Sequence, residues 1–289
     1  MDEPVVIEGK IDIGSIEAMD YESLRRWIDR RLHGEDYAVP RDFKQGVLGY
    51  SRISQLYLKL SPNKQAIIDA IVADFIREMS LPENTRWRDD AAHELLLLAQ
   101  SIYVSSKPKT NESMLYILAM IEDRRFFDPD IIDDSRDIHF RLLQSLIGMK
   151  WRGDIEFWKD QVALAPDRYL RVAFMGAALI SPKHAIELLP EVQWNDRTED
   201  QIRRVLPYFI QSYGSVCLMP LFTDVLGRLG TNASVALRRQ LASEGLDIPV
   251  PASPRSYEEH KRVLSDLNCI LISVPSRLVS QRADRAAYL

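Results

Sequence analysis

Apolar residues recur at helical spacing along most of the chain, in segments of roughly ten to twenty residues separated by turns. The pattern is clearest between Asp133 and Gly230, where it predicts three successive pairs of helices. The first helices of the pairs read HFRLLQSLIGM (139–149), YLRVAFMGAAL (169–179) and IRRVLPYFIQS (202–212). The second helices read IEFWKDQVAL, HAIELLPEV and CLMPLFTDVLGRL.

The three predicted pairs can be aligned with one another. The alignment superposes one arginine in each first helix, at steps of roughly 30 and 33 residues, which lie in the period range of helical repeats. These arginines are Arg141, Arg171 and Arg204. In the second helices the superposed residues are Trp158, Leu189 and Phe222. A single helix pair cannot bury its own apolar face, so neighbouring pairs are expected to stack.

The aligned pairs resemble HEAT-like α-solenoids, in which an acidic turn and a basic residue at a fixed place in the next helix link successive repeats. The resemblance implies an all-α fold, an irregular HEAT-like α-solenoid of antiparallel helix pairs. The repeated arginines are then expected to pack through their stems and to bond to neighbouring acidic turns.

Other segments set the expected domain boundaries. Residues 1–19 alternate between apolar and polar, which is compatible with a hairpin, but an isolated hairpin is only marginally stable and we predict an N-terminal arm. Residues 20–245 are predicted to form the helical-repeat domain, and 246–256 (LDIPVPASPRS) a proline-rich linker. Residues 257–289 are predicted to form a C-terminal helix and tail, with Val263, Leu264, Leu267 and Ile270 on one helical face. Residues 268–274 fit either a helix or a short strand.

Helix starts within the repeat domain carry recognisable caps. Asp20 precedes a helix whose apolar face includes Trp27, and Ser61 precedes a helix with Pro62 in its first turn. Further helices are predicted over 41–60 and 89–104, and Asn111 is predicted to cap the helix that follows it.

The composition limits the cellular compartment and the class of partner that we expect. The chain has 289 residues, 46% of them hydrophobic and 27% charged, and a net charge of −5, which argues against a general polyanion binder. Cys217 and Cys269 each lie in an apolar run and are expected to be buried, reduced thiols. The N-terminus lacks a signal-peptide pattern, and no apolar run approaches the ~20 residues that cross a bilayer. We therefore expect a soluble, cytoplasmic protein that does not bind membranes.

Motifs for catalysis are weak. Asp133, Asp134 and Asp137 form a D-D-x-x-D string, which in all-α isoprenoid synthases holds Mg²⁺. Here the string stands at the start of a predicted helix, where acidic residues favour the positive end of the helix dipole, so capping is the preferred interpretation. His93-Glu94 is not followed by a second histidine, and no nucleophile or phosphate-loop motif occurs. We therefore predict no catalytic residue, metal site or cofactor, and a protein that is not an enzyme.

Two short clusters are candidates for a binding surface: Arg86-Trp87-Arg88 and Lys150-Trp151-Arg152. Tryptophan and arginine are enriched at the energetic centres of protein interfaces. The first cluster fits equally a staple that closes one repeat onto the next. The predicted protein-binding residues are Arg86, Trp87, Arg88, Trp151 and Arg152, and replacing either tryptophan with alanine is expected to weaken partner binding without unfolding the protein.

The expected function is a non-enzymatic protein-interaction scaffold, adaptor or inhibitor built on a helical-repeat surface. One alternative is a nucleic-acid-binding protein similar to HEAT-like DNA glycosylases, using a basic ridge that includes Arg124, Arg125, Lys107 and Lys109. The net charge and the interleaved acids disfavour that alternative. A further alternative is a Mg²⁺-dependent all-α enzyme that uses the Asp133 string. The oligomeric state stays open.

Overall fold

The computed structural model describes residues 6–7, 10–33, 49–84, 86–87, 89–105, 112–131 and 137–248. The chain divides into two compact units, Met1–Met149 and Lys150–Leu289. Over the described residues both units are helical, apart from one short pair of strands at the N-terminus. The all-α class predicted from the sequence is confirmed for that part of the chain.

The first unit contains two short strands followed by helices. Their bounds are β1 Val6–Ile7, β2 Lys10–Ile11, α1 Ile13–Ala18, α2 Tyr21–Leu32, α3 Gly49–Tyr57, α4 Pro62–Ser80, α5 Asp89–Ser105, α6 Glu112–Glu122 and α7 Ile138–Gly148. The second unit contains helices α8 Ile155–Leu164, α9 Pro166–Ile180, α10 Pro182–Glu187, α11 Asp196–Tyr213, α12 Ser215–Arg228 and α13 Thr231–Ser243. A single 3₁₀ turn, Leu189–Glu191, follows α10.

The N-terminal residues differ from the irregular arm that we predict from the sequence. β1 and β2 pair antiparallel, with Val6 opposite Ile11 and Ile7 opposite Lys10. The alternation of apolar and polar residues therefore does produce a hairpin ladder. Asp12 then ends the extended segment, because its carboxylate accepts a hydrogen bond from the Ser15 backbone N–H at 2.8 Å and caps α1.

The predicted helix caps are confirmed where the structure describes them. The carboxylate of Asp20 accepts from the Ser23 N–H at 2.7 Å and starts α2. The hydroxyl of Ser61 accepts from the Lys64 N–H at 3.3 Å and starts α4, with Pro62 as its first residue. Each cap satisfies an N–H group that a helix start otherwise leaves without an acceptor. Asn111 lies outside the described residues.

In the first unit, α2 and α4 run side by side in the same direction. The Tyr21 hydroxyl donates to the Asp74 carboxylate at 2.6 Å, and one turn further along both helices Arg25 pairs with Glu78. The C-terminal ends of α4 and α6 also meet, because Arg125 donates to the backbone carbonyls of Met79 and Leu81. Helix α5 packs against α3, α4 and α7.

In the second unit, α9 packs against α8, α10 and α11. Near the start of both α9 and α11, the Asn195 side-chain amide donates to the Asp167 carboxylate at 2.9 Å. At their ends, the Tyr213 hydroxyl donates to the Ala178 carbonyl at 2.6 Å. Helices α9 and α11 therefore run in the same direction. Between these two contacts the rings of Phe174 and Phe209 meet edge to face, 4.8 Å apart.

The core of the second unit includes the residues that the sequence alignment superposes. The side chains of Trp158, Leu189 and Phe222 are all fully buried. In the described part of the chain, none of the helices is both long enough and apolar enough to cross a bilayer.

Candidate functional site

The first predicted cluster lies between the end of α4 and the start of α5, and its tryptophan belongs to the core. The Trp87 side chain is 0% exposed. Its ring lies 5.0 Å from the ring of Phe75 on α4 and 4.7 Å from the imidazole of His33, which ends α2. The indole thus holds this connection against two helices and has no surface to offer a partner. Its burial favours the staple interpretation over that of an interface residue, and we expect its replacement by alanine to lower the stability of the protein.

The arginines of this cluster are placed differently. The guanidinium of Arg86 lies 5.5 Å from the centre of the Trp87 ring and forms an ion pair with Asp29 on α2. Burial, and then the nearby positive charge of Arg25, lower the pKa of Arg86. Through its contacts with Trp87 and Asp29, Arg86 helps to hold the α4–α5 connection against α2. Arg88 lies outside the described residues.

The second predicted cluster belongs to a tight turn before α8, here called the Trp151 turn (150–154). Lys150 and Gly153 both have positive φ angles, +59° and +52°. The carboxylate of Asp154 accepts from the Glu156 N–H at 3.2 Å and caps α8. Two left-handed residues and the cap define the shape of the turn, and the glycine accommodates its positive φ angle without steric cost.

The indole of Trp151 is half-buried and rests on an aromatic base. It meets the ring of Phe157 edge to face at 4.7 Å, and its centre lies 5.9 Å from the ring of Trp158. Trp158 is fully buried against Gly176, where a Cβ atom would come within 2.2 Å of the indole. The base under Trp151 is therefore close-packed, and one part of the indole stays open to solvent.

Gly153 is needed at its position for two reasons. Its φ of +52° is disfavoured for residues with a side chain. A Cβ atom at Gly153 would also lie 2.3 Å from the Trp151 ring, so the ring packs directly over the backbone of the turn. Trp151 is thus held between this glycine and the aromatic base.

Arg152 is the exposed cation of the Trp151 turn. Burial raises the pKa of Tyr213 to about 12, and the positive charge of Arg152 acts in the opposite direction. Arg152 is therefore near enough to influence the C-terminal end of α11. Asp154 and Glu156 are exposed beside it, so the surface around Trp151 carries charges of both signs.

The acidic string before α7 is only partly described. Asp137 is fully buried, and its carboxylate accepts from the Phe140 N–H at 3.0 Å, which confirms the predicted capping role. Asp133 and Asp134 lie outside the described residues. Within the described ranges, no group of three or more histidine, cysteine, aspartate or glutamate side chains is placed to hold a metal ion.

Two other expectations concern single residues. Cys217 is a free thiol and is half-exposed at the start of α12, whereas we expect burial from the apolar run around it. The apolar run is amphipathic rather than wholly interior, because Leu218 and Leu221 are buried while Val216 and Met219 are exposed. Cys269, Lys107 and Lys109 lie outside the described residues.

The exposed apolar face of α12 is absent from the predicted site. The signal for it is present in the sequence, since Val216, Met219, Pro220, Thr223 and Gly227 follow helical spacing without a charged residue among them. From spacing alone, such a face is predicted to be one more core contact. The structure leaves it exposed over its first turns.

No protein-family model, curated protein or solved structure matches the chain. The function is therefore inferred from the chain's own geometry. Among the predicted residues that the structure describes, Arg86 and Arg152 are exposed and Trp151 is half-buried, whereas Trp87 lies in the core.

Proposed function

We propose that this protein is a non-enzymatic scaffold, adaptor or inhibitor that binds another protein through the Trp151 turn. The observation that carries the proposal is a half-open indole packed on half-buried Phe157 and buried Trp158, beside an exposed arginine. Tryptophan and arginine contribute most to binding when they are well packed and central in an interface. The turn supplies both residue types in one place.

The rigidity of the Trp151 turn favours a binding role. Immobilising a flexible side chain at an interface costs about 0.5–1.5 kcal/mol. The Trp151 ring already lies between Gly153 and Phe157, so little of its freedom is left to lose when a partner binds. An exposed tryptophan without such support would bind more weakly for the same contact area.

The proposed frame is an irregular HEAT-like α-solenoid in each unit. In the first unit α2, α4 and α6 contact one another in succession, as do α3, α5 and α7. In the second unit α9, α11 and α13 form one such row, and α10 contacts α12. Rows of alternate helices are the pattern expected when helix pairs stack. The same direction of α2 and α4, and of α9 and α11, supports this arrangement.

A protein partner fits the site better than a nucleic acid does. Asp154 and Glu156 are exposed next to Arg152, and Glu156 pairs with Lys159 at 2.7 Å. Carboxylates in this position would repel a phosphate backbone. Alternating charges around an aromatic centre are typical of the polar rim of a protein interface.

The test is quantitative capture of partners from a nuclease-treated native lysate, with mass spectrometry of the bound proteins. The wild-type protein is compared with Arg152→Glu and with Arg239→Glu, which reverses an exposed arginine on α13 of the same unit. We expect a stoichiometric protein that the wild type and Arg239→Glu retain and that Arg152→Glu loses. Failure to capture any stoichiometric protein, or equal capture by all three proteins, would count against the proposal.

A further inference from the structure

Helix α12 presents an uncharged stripe to solvent. Residues Val216, Met219, Pro220, Thr223 and Gly227 share one helical face, here called the α12 stripe. Val216 is 81% exposed and Met219 is 37% exposed. The opposite face of the helix is fully occupied in the core by residues such as Phe222 and Val225.

The polar groups in and beside the stripe are satisfied internally. The Thr223 hydroxyl donates to the Met219 carbonyl at 2.8 Å, within the helix. Asp224 and Arg228, on the flank of the stripe, pair with each other at 2.9 Å. A Cβ atom added at Gly227 would meet no atom within 4 Å, so the far end of the stripe is also open. The stripe is therefore an apolar surface that lacks a covering element among the described residues.

The described chain ends on the helix that packs against α12. Helix α13 contacts α12, and after α13 the side chains of Leu246 and Ile248 are buried. The Arg238 guanidinium donates to the Ile248 carbonyl at 3.3 Å and holds the chain there. Residues 249–289 therefore continue from a point beside the α12–α13 pair.

The sequence after Ile248 contains a segment that is predicted to have an apolar face, as the α12 stripe does. Residues 257–272 carry Val263, Leu264, Leu267 and Ile270 on one predicted helical face, with polar residues between them that include Ser265, Asp266 and Asn268. The intervening residues 249–256 contain three prolines and span roughly 25 Å at about 3.1 Å per residue. That reach exceeds the roughly 21 Å length of a helix of the size of α12.

We propose that residues 257–272 fold back as an amphipathic helix and cover the α12 stripe. The apolar face of the segment and the stripe each expose hydrophobic surface that the contact would remove from water. The tether keeps the segment at a high effective concentration near the stripe, so even a modest contact is occupied. This inference is independent of the Trp151 turn.

The chain carries its own probes for this contact. Its two cysteines are Cys217, next to Val216, and Cys269, next to Ile270. The full-length protein is treated at low concentration with a bismaleimide whose spacer exceeds the roughly 10 Å width of a helix. The products are then mapped by peptide mass spectrometry. We expect an intramolecular Cys217–Cys269 cross-link as the main product.

Matched variants separate docking from random encounters of a tethered tail. Val216→Asp places a carboxylate in the stripe and is expected to reduce the cross-link by roughly tenfold, because an apolar contact excludes an unpaired charge. Leu267→Asp tests the segment in the same way. Val235→Asp, at an exposed position on α13 outside the stripe, should leave the yield unchanged. Moving the thiol away from the segment, by Cys269→Ser with Ser280→Cys, should lower the yield.

Three results would overturn the inference. The first is an equal yield of the intramolecular product in the wild type, Val216→Asp and Leu267→Asp. The second is a predominantly intermolecular product, which would assign the stripe to a second copy of the chain. The third is the lack of any cross-link although both thiols react with a monofunctional maleimide. Thermal melts of each variant confirm that it is folded before the yields are compared.

Discussion

Two tryptophans with almost the same neighbours in sequence have different structural roles. Trp87 lies between two arginines and Trp151 between a lysine and an arginine. Trp87 is enclosed by Phe75 and His33 from two helices, whereas Trp151 rests on one aromatic base and leaves part of its ring open. The difference shows that composition alone does not separate a core staple from an interface anchor. The number of elements that pack around the ring decides the role.

The largest expected effect is that of Trp87→Ala. A fully buried tryptophan contributes about 3–5 kcal/mol to the free energy of unfolding through lost contacts and the cavity left behind. We expect a clear fall in the thermal midpoint and in the free energy from urea unfolding. A loss below about 1 kcal/mol, which is the size of an ordinary surface change, would show that Trp87 is not a staple.

Trp151→Ala is expected to have a smaller effect on stability. Its ring is half-buried and makes edge contacts with Phe157, so about 2 kcal/mol is a reasonable loss, below that for a complete core residue. Partner binding should fall by at least about tenfold, which corresponds to ~1.4 kcal/mol. Stability is measured by urea unfolding and affinity by titration of the captured partner. A stability loss equal to that of Trp87→Ala would erase the distinction between the two sites.

Gly153→Ala tests whether the turn positions the Trp151 ring. The positive φ angle costs about 1–2 kcal/mol in a residue with a Cβ atom, and that atom would also displace the ring. We expect this loss of stability together with a shift in tryptophan fluorescence. Gly214→Ala is the matched control, since its φ of +81° imposes similar backbone strain while its Cβ atom would meet no atom within 4 Å, so the fluorescence should stay unchanged. The same response in both variants would contradict this role for Gly153.

The smallest expected effects on stability come from the two arginines. Arg86→Glu breaks the ion pair with Asp29 and should cost up to about 1 kcal/mol, because the pair is partly exposed. Arg152→Glu should change the unfolding free energy by no more than about 0.5 kcal/mol. The order should reverse for partner binding, where Arg152→Glu is the damaging change. Equal binding by the two variants would show that the Trp151 turn is not part of the interface.

The sequence predicts the helices and their starts well, because periodic apolar residues and capping side chains are local signals. The caps made by Asp20, Ser61 and Asp137 are confirmed, and the aligned Trp158 is buried as the superposed position requires. These features depend on residues only a few positions apart, which explains why a single sequence contains them.

Features that depend on distant contacts are not predictable in the same way. The burial of Trp87 depends on His33, more than fifty positions earlier in the chain. Helical spacing gives α12 an apolar face at Val216, but spacing cannot tell whether another element covers that face. The stacking of helix pairs, the domain boundaries and the function stay proposals for the same reason.

The most direct test of the account compares the two tryptophans in one sample. Fluorine NMR of fluorotryptophan-labelled protein gives one resonance for each of the five tryptophans, and Trp→Phe variants assign those of Trp87 and Trp151. The spectrum is recorded before and after addition of the captured partner. The account predicts that the Trp151 resonance shifts while that of Trp87 does not. A shift of Trp87 with Trp151 unchanged, or no change in either, would contradict it.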